Sequence, residues 1–133
     1  PFQPFEDMPN VLASADVLLT LLEKDAGAYA VPSKVLTYLC SQRPLLLAVP
    51  SRNLSARIVR EHAAGVTVEP DDAAGFVSAS LAMLTNSARR EAYGRSGRAY
   101  AERTFHIERI TDRFEDIITR SAAVKSAAGQ PIA

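Results

Sequence analysis

Apolar positions fall along the chain as short unbroken runs separated by spaced stripes, and the two patterns predict different elements. Val17-Leu18-Leu19-Thr20-Leu21-Leu22 shows no polar alternation, as expected of a central parallel strand covered on both faces. Pro44-Leu45-Leu46-Leu47-Ala48-Val49-Pro50 reads as a second buried strand, closed by proline, and Val66-Thr67-Val68-Glu69-Pro70 as a third, shorter one. Between the first two strands a polar and then flexible stretch, Glu23 to Val31, predicts a loop. Pro32-Ser33-Lys34 then starts a helix with Val35, Leu36, Leu39 and Cys40 in one stripe and Ser33, Thr37 and Ser41 on another face. Upstream, Asp7 is placed to cap a short helix with Pro9 in its first turn and Val11 and Leu12 inside it. Downstream, Ser51 to Asn53 is placed to cap a helix carrying Leu54, Ile58 and Val59, with Gly65 as its left-handed terminator. Asp71-Asp72 opens the next helix, where Val77, Leu81 and Leu84 share a face. A helix from about Ala88 to Thr104 sets Tyr93, Gly97, Tyr100 and Ala101 on one side, its glycines suited to close approach. The last helix carries Ile107, Ile110, Phe114, Ile117 and Ile118 as one stripe, with Arg109–Asp112 and Asp116–Arg120 pairs on its wet faces.

Strand and helix alternate in the manner of an α/β, Rossmann-like open parallel sheet with helices on both faces. Two helical layers need a wider sheet than three strands offer, and the chain starts at Pro1 without methionine. The expectation is therefore the C-terminal part of a larger domain, truncated at its N-terminus. Residues 1–121 form the expected ligand-binding domain, 106–121 its terminal helix and 122–133 a flexible tail. Composition narrows the function classes. The chain has 133 residues, 47% of them hydrophobic, with 15 basic and 15 acidic side chains. A net charge of zero gives no support to a nucleic-acid partner. Cys40 has no second cysteine to pair with, and no Cys/His cluster has zinc spacing, so neither a disulfide scaffold nor a structural metal site is expected. The expected setting is reducing and cytoplasmic, since the one thiol forms no internal disulfide, and no apolar run approaches a membrane span.

In open parallel sheets ligands bind beyond the carboxyl ends of the strands, where helix N-termini present amides and a partial positive charge. The segment Asp25 to Tyr38 occupies that place. Small residues at 26–28 permit close backbone approach, Ser33 supplies a hydroxyl and Lys34 a cation in the first helical turn, so a diphosphate is the natural guest. The competing reading is an ordinary loop with Ser33 as N-cap and Lys34 in solvent. His62 and His106 have no nucleophile at a partner spacing and read as a surface residue near a helix end and a helix-start residue. Cys40 reads as packed rather than reactive. Arg89, Arg90, Arg95, Arg98 and Arg103 form a locally basic helix, read as a solvated face or as peripheral contact with an anionic membrane.

Met8 to Leu19 (MPNVLASADVLL), with Val31-Pro32-Ser33-Lys34-Val35-Leu36-Thr37-Tyr38-Leu39-Cys40-Ser41-Gln42-Arg43-Pro44-Leu45-Leu46-Leu47 and the later Ala64-Gly65-Val66-Thr67-Val68-Glu69-Pro70-Asp71-Asp72, resembles the C-terminal donor-binding domain of family 4 glycosyltransferases. The likeness spans roughly residues 4 to 120 and is greatest to the bacterial enzymes of capsule, colanic acid and O-antigen synthesis that carry the Pro-Ser-Lys helix start. It implies a GT-B fold and retaining transfer of a sugar from a UDP- or GDP-sugar to a polysaccharide or lipid-linked acceptor, with no cofactor and usually no metal. Ser33 and Lys34 become the expected diphosphate contacts, and Tyr29, Ala30, Val31, Pro32 and Thr37 the expected surroundings of donor sugar and ribose. Many members carry two glutamates where this chain has Tyr29 and Thr37; Thr37 retains a hydroxyl for a ribose. The family's glycine-rich start and basic pair lie upstream of Pro1, so no catalytic residue is expected here, and activity is expected to need the missing N-terminal acceptor domain. Two alternatives stay open: a GT-B nucleotide-sugar 2-epimerase, for which the loop offers only Asp25 as a carboxylate, and a non-catalytic α/β binding or signalling module.

Overall fold

The computed structural model describes residues 3–25, 30 and 32–128. A 3-10 turn, Phe5–Asp7, leads into α1 (Met8–Ala13), followed by β1 (Leu18–Leu21), α2 (Ser33–Cys40), β2 (Leu45–Ala48), α3 (Leu54–Glu61), β3 (Gly65–Val68), α4 (Ala73–Leu84), α5 (Ser87–Thr104) and α6 (Ile107–Ala128). The strands make an open parallel sheet in the order β1-β2-β3, the architecture of an α/β, Rossmann-like unit. The register aligns Thr20 with Leu47 and Leu47 with Thr67.

The central strand is β2, not β1. Leu45, Leu46 and Leu47 are completely buried: β2 is flanked by β1 and β3, α4 packs on β2 and β3, and α2 and α3 pack on β1 and β3. At β1 only one face is covered: Leu18 and Thr20 are buried, whereas Leu19 and Leu21 are 48% and 69% exposed. An unbroken apolar run is therefore compatible with an edge position whose second face is left partly exposed.

Several helix expectations change for local reasons. Asp7 makes no side-chain cap: it is the last residue of the 3-10 turn, and its backbone is already in helical geometry. Asn53 and Asp72 do cap, accepting from the amides of Ser55 and Gly75. Left-handed termination of α3 falls to Ala63 (φ 46°), with the Ala64 amide returning to Val59. Gly65 instead starts β3, where a Cβ would lie 1.9 Å from the Leu45 carbonyl oxygen. In α2 the buried stripe is Val35 and Leu39; Leu36 and Cys40 lie one residue further around the helix, so Cys40 is exposed rather than packed. In α3, Leu54 is exposed and Ser55, Ala56 and Val59 form the buried face. The buried stripe of α4 centres on Met83, with Phe76, Ala79 and Ser80 half-buried, which turns Val77, Leu81 and Leu84 outward.

Gly94, Gly97 and Ala101 are the buried residues of α5, and the small side chains admit close contact with the loop after α2 and with Ala64. Arg90 donates to the carbonyls of Met83 and Leu84 and Arg98 to that of Cys40, so these arginines tie α5 to the ends of α4 and α2. Arg89 reaches the Tyr93 hydroxyl and Arg95 pairs with Glu91. Arg89, Arg95, Arg98 and Arg103 are exposed and Arg90 is half-buried, so the face is solvated while Arg90 and Arg98 also serve the fold. Residues 1–101 form one compact unit and 102–133 a second. Within the second, α6 continues past Ser121 to Ala128, because the following alanine-rich segment favours helix. Its Ile107, Phe114, Ile117 and Ile118 are exposed. Asp116 and Arg120 pair at 2.7 Å, whereas Arg109 donates to the Arg103 carbonyl rather than meeting Asp112. Among the described residues, no helix is long and apolar enough to cross a membrane.

Candidate functional site

Parallel strands deliver their carboxyl ends, and the loops that leave them, to one edge of the sheet. Here that edge carries the loop after β1, the turn from Val49 to Asn53 and the turn from Glu69 to Asp72. Polar contacts cross-link them. Lys24 Nζ lies 2.7 Å from Asp71 Oδ2, joining the exits of β1 and β3. The Ser51 amide donates to Glu69 Oε1 at 3.0 Å, and Arg60 reaches the Ser51 carbonyl at 2.7 Å. Asn53 Nδ2 donates to the Ala30 carbonyl at 2.8 Å. A cavity of about 380 Å³ opens among Leu21, Leu22, Glu23, Ala48 and Pro70.

The hydrogen bond from Lys24 and the charge beside it hold the Asp71 carboxyl below its ordinary range. The reciprocal bond to Asp71 raises the Lys24 ammonium. Lys24 is thus engaged by the fold. Lys34 is not: it is exposed in the first turn of α2, and no described residue pairs with it. Unlike α3 and α4, α2 begins without a side-chain cap; Pro32 is its N-cap and Ser33 its exposed first residue. Of the competing reading, Ser33 as N-cap is corrected, since Ser33 is already the first helical residue, whereas Lys34 is exposed as that reading has it.

Of the expected ligand contacts, Ser33, Lys34, Ala30 and Pro32 come together where α2 begins. Tyr29 and Val31 lie outside the described residues. Thr37 is exposed one turn along the helix and borders a larger cavity, about 620 Å³, whose described walls include Phe5, Met8, Leu12, Cys40 and Arg98 but neither Ser33 nor Lys34.

His62, at the C-terminus of α3, stacks on Tyr100 with ring centroids 4.1 Å apart. His106 Nδ1 lies 3.7 Å from Glu108 Oε2. Among the described residues no group of His, Cys, Asp and Glu could hold a metal ion. Two features of the edge escaped sequence reasoning: the Lys24–Asp71 bridge and the second bond of Asn53. Neither leaves a local signal, because each joins loops distant in sequence. No family model matches the chain, and no curated protein matches it significantly.

Proposed function

We propose that this chain is the nucleotide-sugar-binding part of a retaining glycosyltransferase, the donor half of a GT-B enzyme. It would hold a UDP- or GDP-sugar while an N-terminal domain presents a polysaccharide or lipid-linked acceptor. The observation that carries this reading is the start of α2: a helix opening at the carboxyl edge of the sheet, without a side-chain cap, with Ser33 and Lys34 exposed in its first turn and Lys34 paired with none of the described residues. Free amides, a positive helix end and an ammonium are the groups that bind a diphosphate and stabilise charge developing on it as it departs. The resemblance of the Pro-Ser-Lys segment supports the same assignment. Ser33 and Lys34 bind the diphosphate, Ala30 and Pro32 border the donor sugar, and Thr37 offers a hydroxyl to the ribose.

Titration of isotope-labelled protein with UDP, GDP and pyrophosphate, followed by amide NMR, tests the reading. Shifts centred on residues 30–37 that vanish in Ser33→Ala/Lys34→Ala are expected, with the stronger nucleotide indicating the donor. Absence of such shifts at millimolar ligand in the folded protein refutes it.

A further inference from the structure

Asn53 has two roles visible in its contacts. Its residue is 1% exposed, so a primary amide is held inside the protein, where its polar atoms need partners. Oδ1 accepts from the Ser55 amide at 2.9 Å and caps α3. Nδ2 faces the other way and donates to the Ala30 carbonyl at 2.8 Å. One rigid planar group thereby connects the helix after β2 to the backbone just before α2. A serine or aspartate would also serve as cap, but neither has a donor that reaches Ala30 from this position. The cap alone does not explain the amide.

We infer that Asn53 is a positioning residue: it straps the Ala30 carbonyl to the start of α3 and so sets where the first turn of α2, with Ser33 and Lys34, stands at the edge of the sheet. The inference rests on the donor-site reading for its ligand, but the strap itself is independent of that reading. Two further contacts stiffen the segment to which the strap is anchored. Arg60 holds the Ser51 carbonyl, and Glu69 holds the Ser51 amide. Ala30 is thus referenced to the exits of β2 and β3, and preorganisation of this kind lowers the ordering cost that an anion must meet on binding.

Three measurements test it. In the wild-type protein the Asn53 Nδ2 protons should be protected from solvent exchange; exchange at the rate of an exposed asparagine overturns the strap without any variant. Asn53→Ser and Asn53→Asp should keep the α3 amides protected while the amides of Val35 to Thr37 exchange about tenfold faster, as expected for loss of one hydrogen bond. Unchanged protection there in either folded variant overturns the inference. For the ligand, wild-type protein and the uncharged Asn53→Ser variant are titrated with pyrophosphate. Binding weakened several-fold in the variant supports positioning, and equal binding overturns it. If the wild type does not bind pyrophosphate, the donor-site reading and the ligand half of this inference both fail, while the exchange data still decide the strap.

Discussion

Gly94 in α5 lies against the backbone of Gln42, so closely that a Cβ on Gly94 would stand 2.3 Å from the Gln42 carbonyl oxygen. Gln42 is itself in the left-handed region, φ 58°, where α2 gives way to the approach to β2. The obstacle is backbone on both sides, so no rotamer change relieves it. Gly94→Ala should destabilise the protein by about 1–3 kcal/mol through overpacking, despite the helix propensity it gains. Gly97 is the control: its Cβ would meet Ala64 Cβ at 3.3 Å, a contact that small shifts relieve. Gly97→Ala should stay within about 1 kcal/mol of wild type, because propensity offsets crowding. Urea midpoints at unchanged slope measure both.

Thr20 gives a prediction of opposite sign. Its residue is 2% exposed, and Oγ1 has no hydrogen-bond partner among the described residues. An unsatisfied buried hydroxyl costs free energy that an apolar group of the same shape does not. Thr20→Val should therefore stabilise the protein by about 1 kcal/mol. Thr20→Ser, which keeps the hydroxyl and loses a methyl group, should destabilise it by roughly 1 kcal/mol. A lower urea midpoint for the valine variant contradicts the assignment.

What could be read from the sequence was local. The strands, the caps at Asn53 and Asp72 and the close approach of the α5 glycines follow from residue types within a few positions of one another, and the structure has them. Which faces of those elements are covered depends on residues far along the chain. That is why β1 emerged as an edge strand and why the Val77, Leu81 and Leu84 stripe turned outward. Gly65 shows the difference most directly: glycine is required there by the Leu45 carbonyl on the neighbouring strand, not by the helix end preceding it. At the candidate site, the start of α2 could be read from Pro32-Ser33-Lys34, whereas the contact of Asn53 with Ala30 requires a fold that brings two loop exits together.

Cys40 should be chemically accessible in the native state. It is exposed beside a cavity shared with Met8, Leu12 and Thr37, while Val35 and Leu39 occupy the buried stripe of the same helix. A thiol reagent such as Ellman's should therefore label one thiol per chain without denaturant. Labelling that begins only where urea unfolds the protein would show that the side chain is buried. Cys40→Ser should change stability by no more than about 0.5 kcal/mol, as for an ordinary surface substitution.

The Lys24–Asp71 bridge predicts a dependence on pH with two different edges. Hydrogen bonding to Lys24 lowers the Asp71 carboxyl in the folded protein, so its contribution to stability is present above the ordinary value of 3.8 and is lost as pH falls through the depressed one. The Lys24 ammonium is raised by the same bond, so its contribution is present below 10.5 and is lost as pH rises through the elevated value. Between those limits the bridge joins the exits of β1 and β3. Both side chains are well exposed, so the effect on stability should be small and should diminish with added salt. Carboxyl-carbon NMR gives the direct measurement: in Lys24→Gln the Asp71 titration should move up toward its ordinary range. A titration that does not move would mean that the bridge is not populated in solution and that the two loop exits are held together by their other contacts.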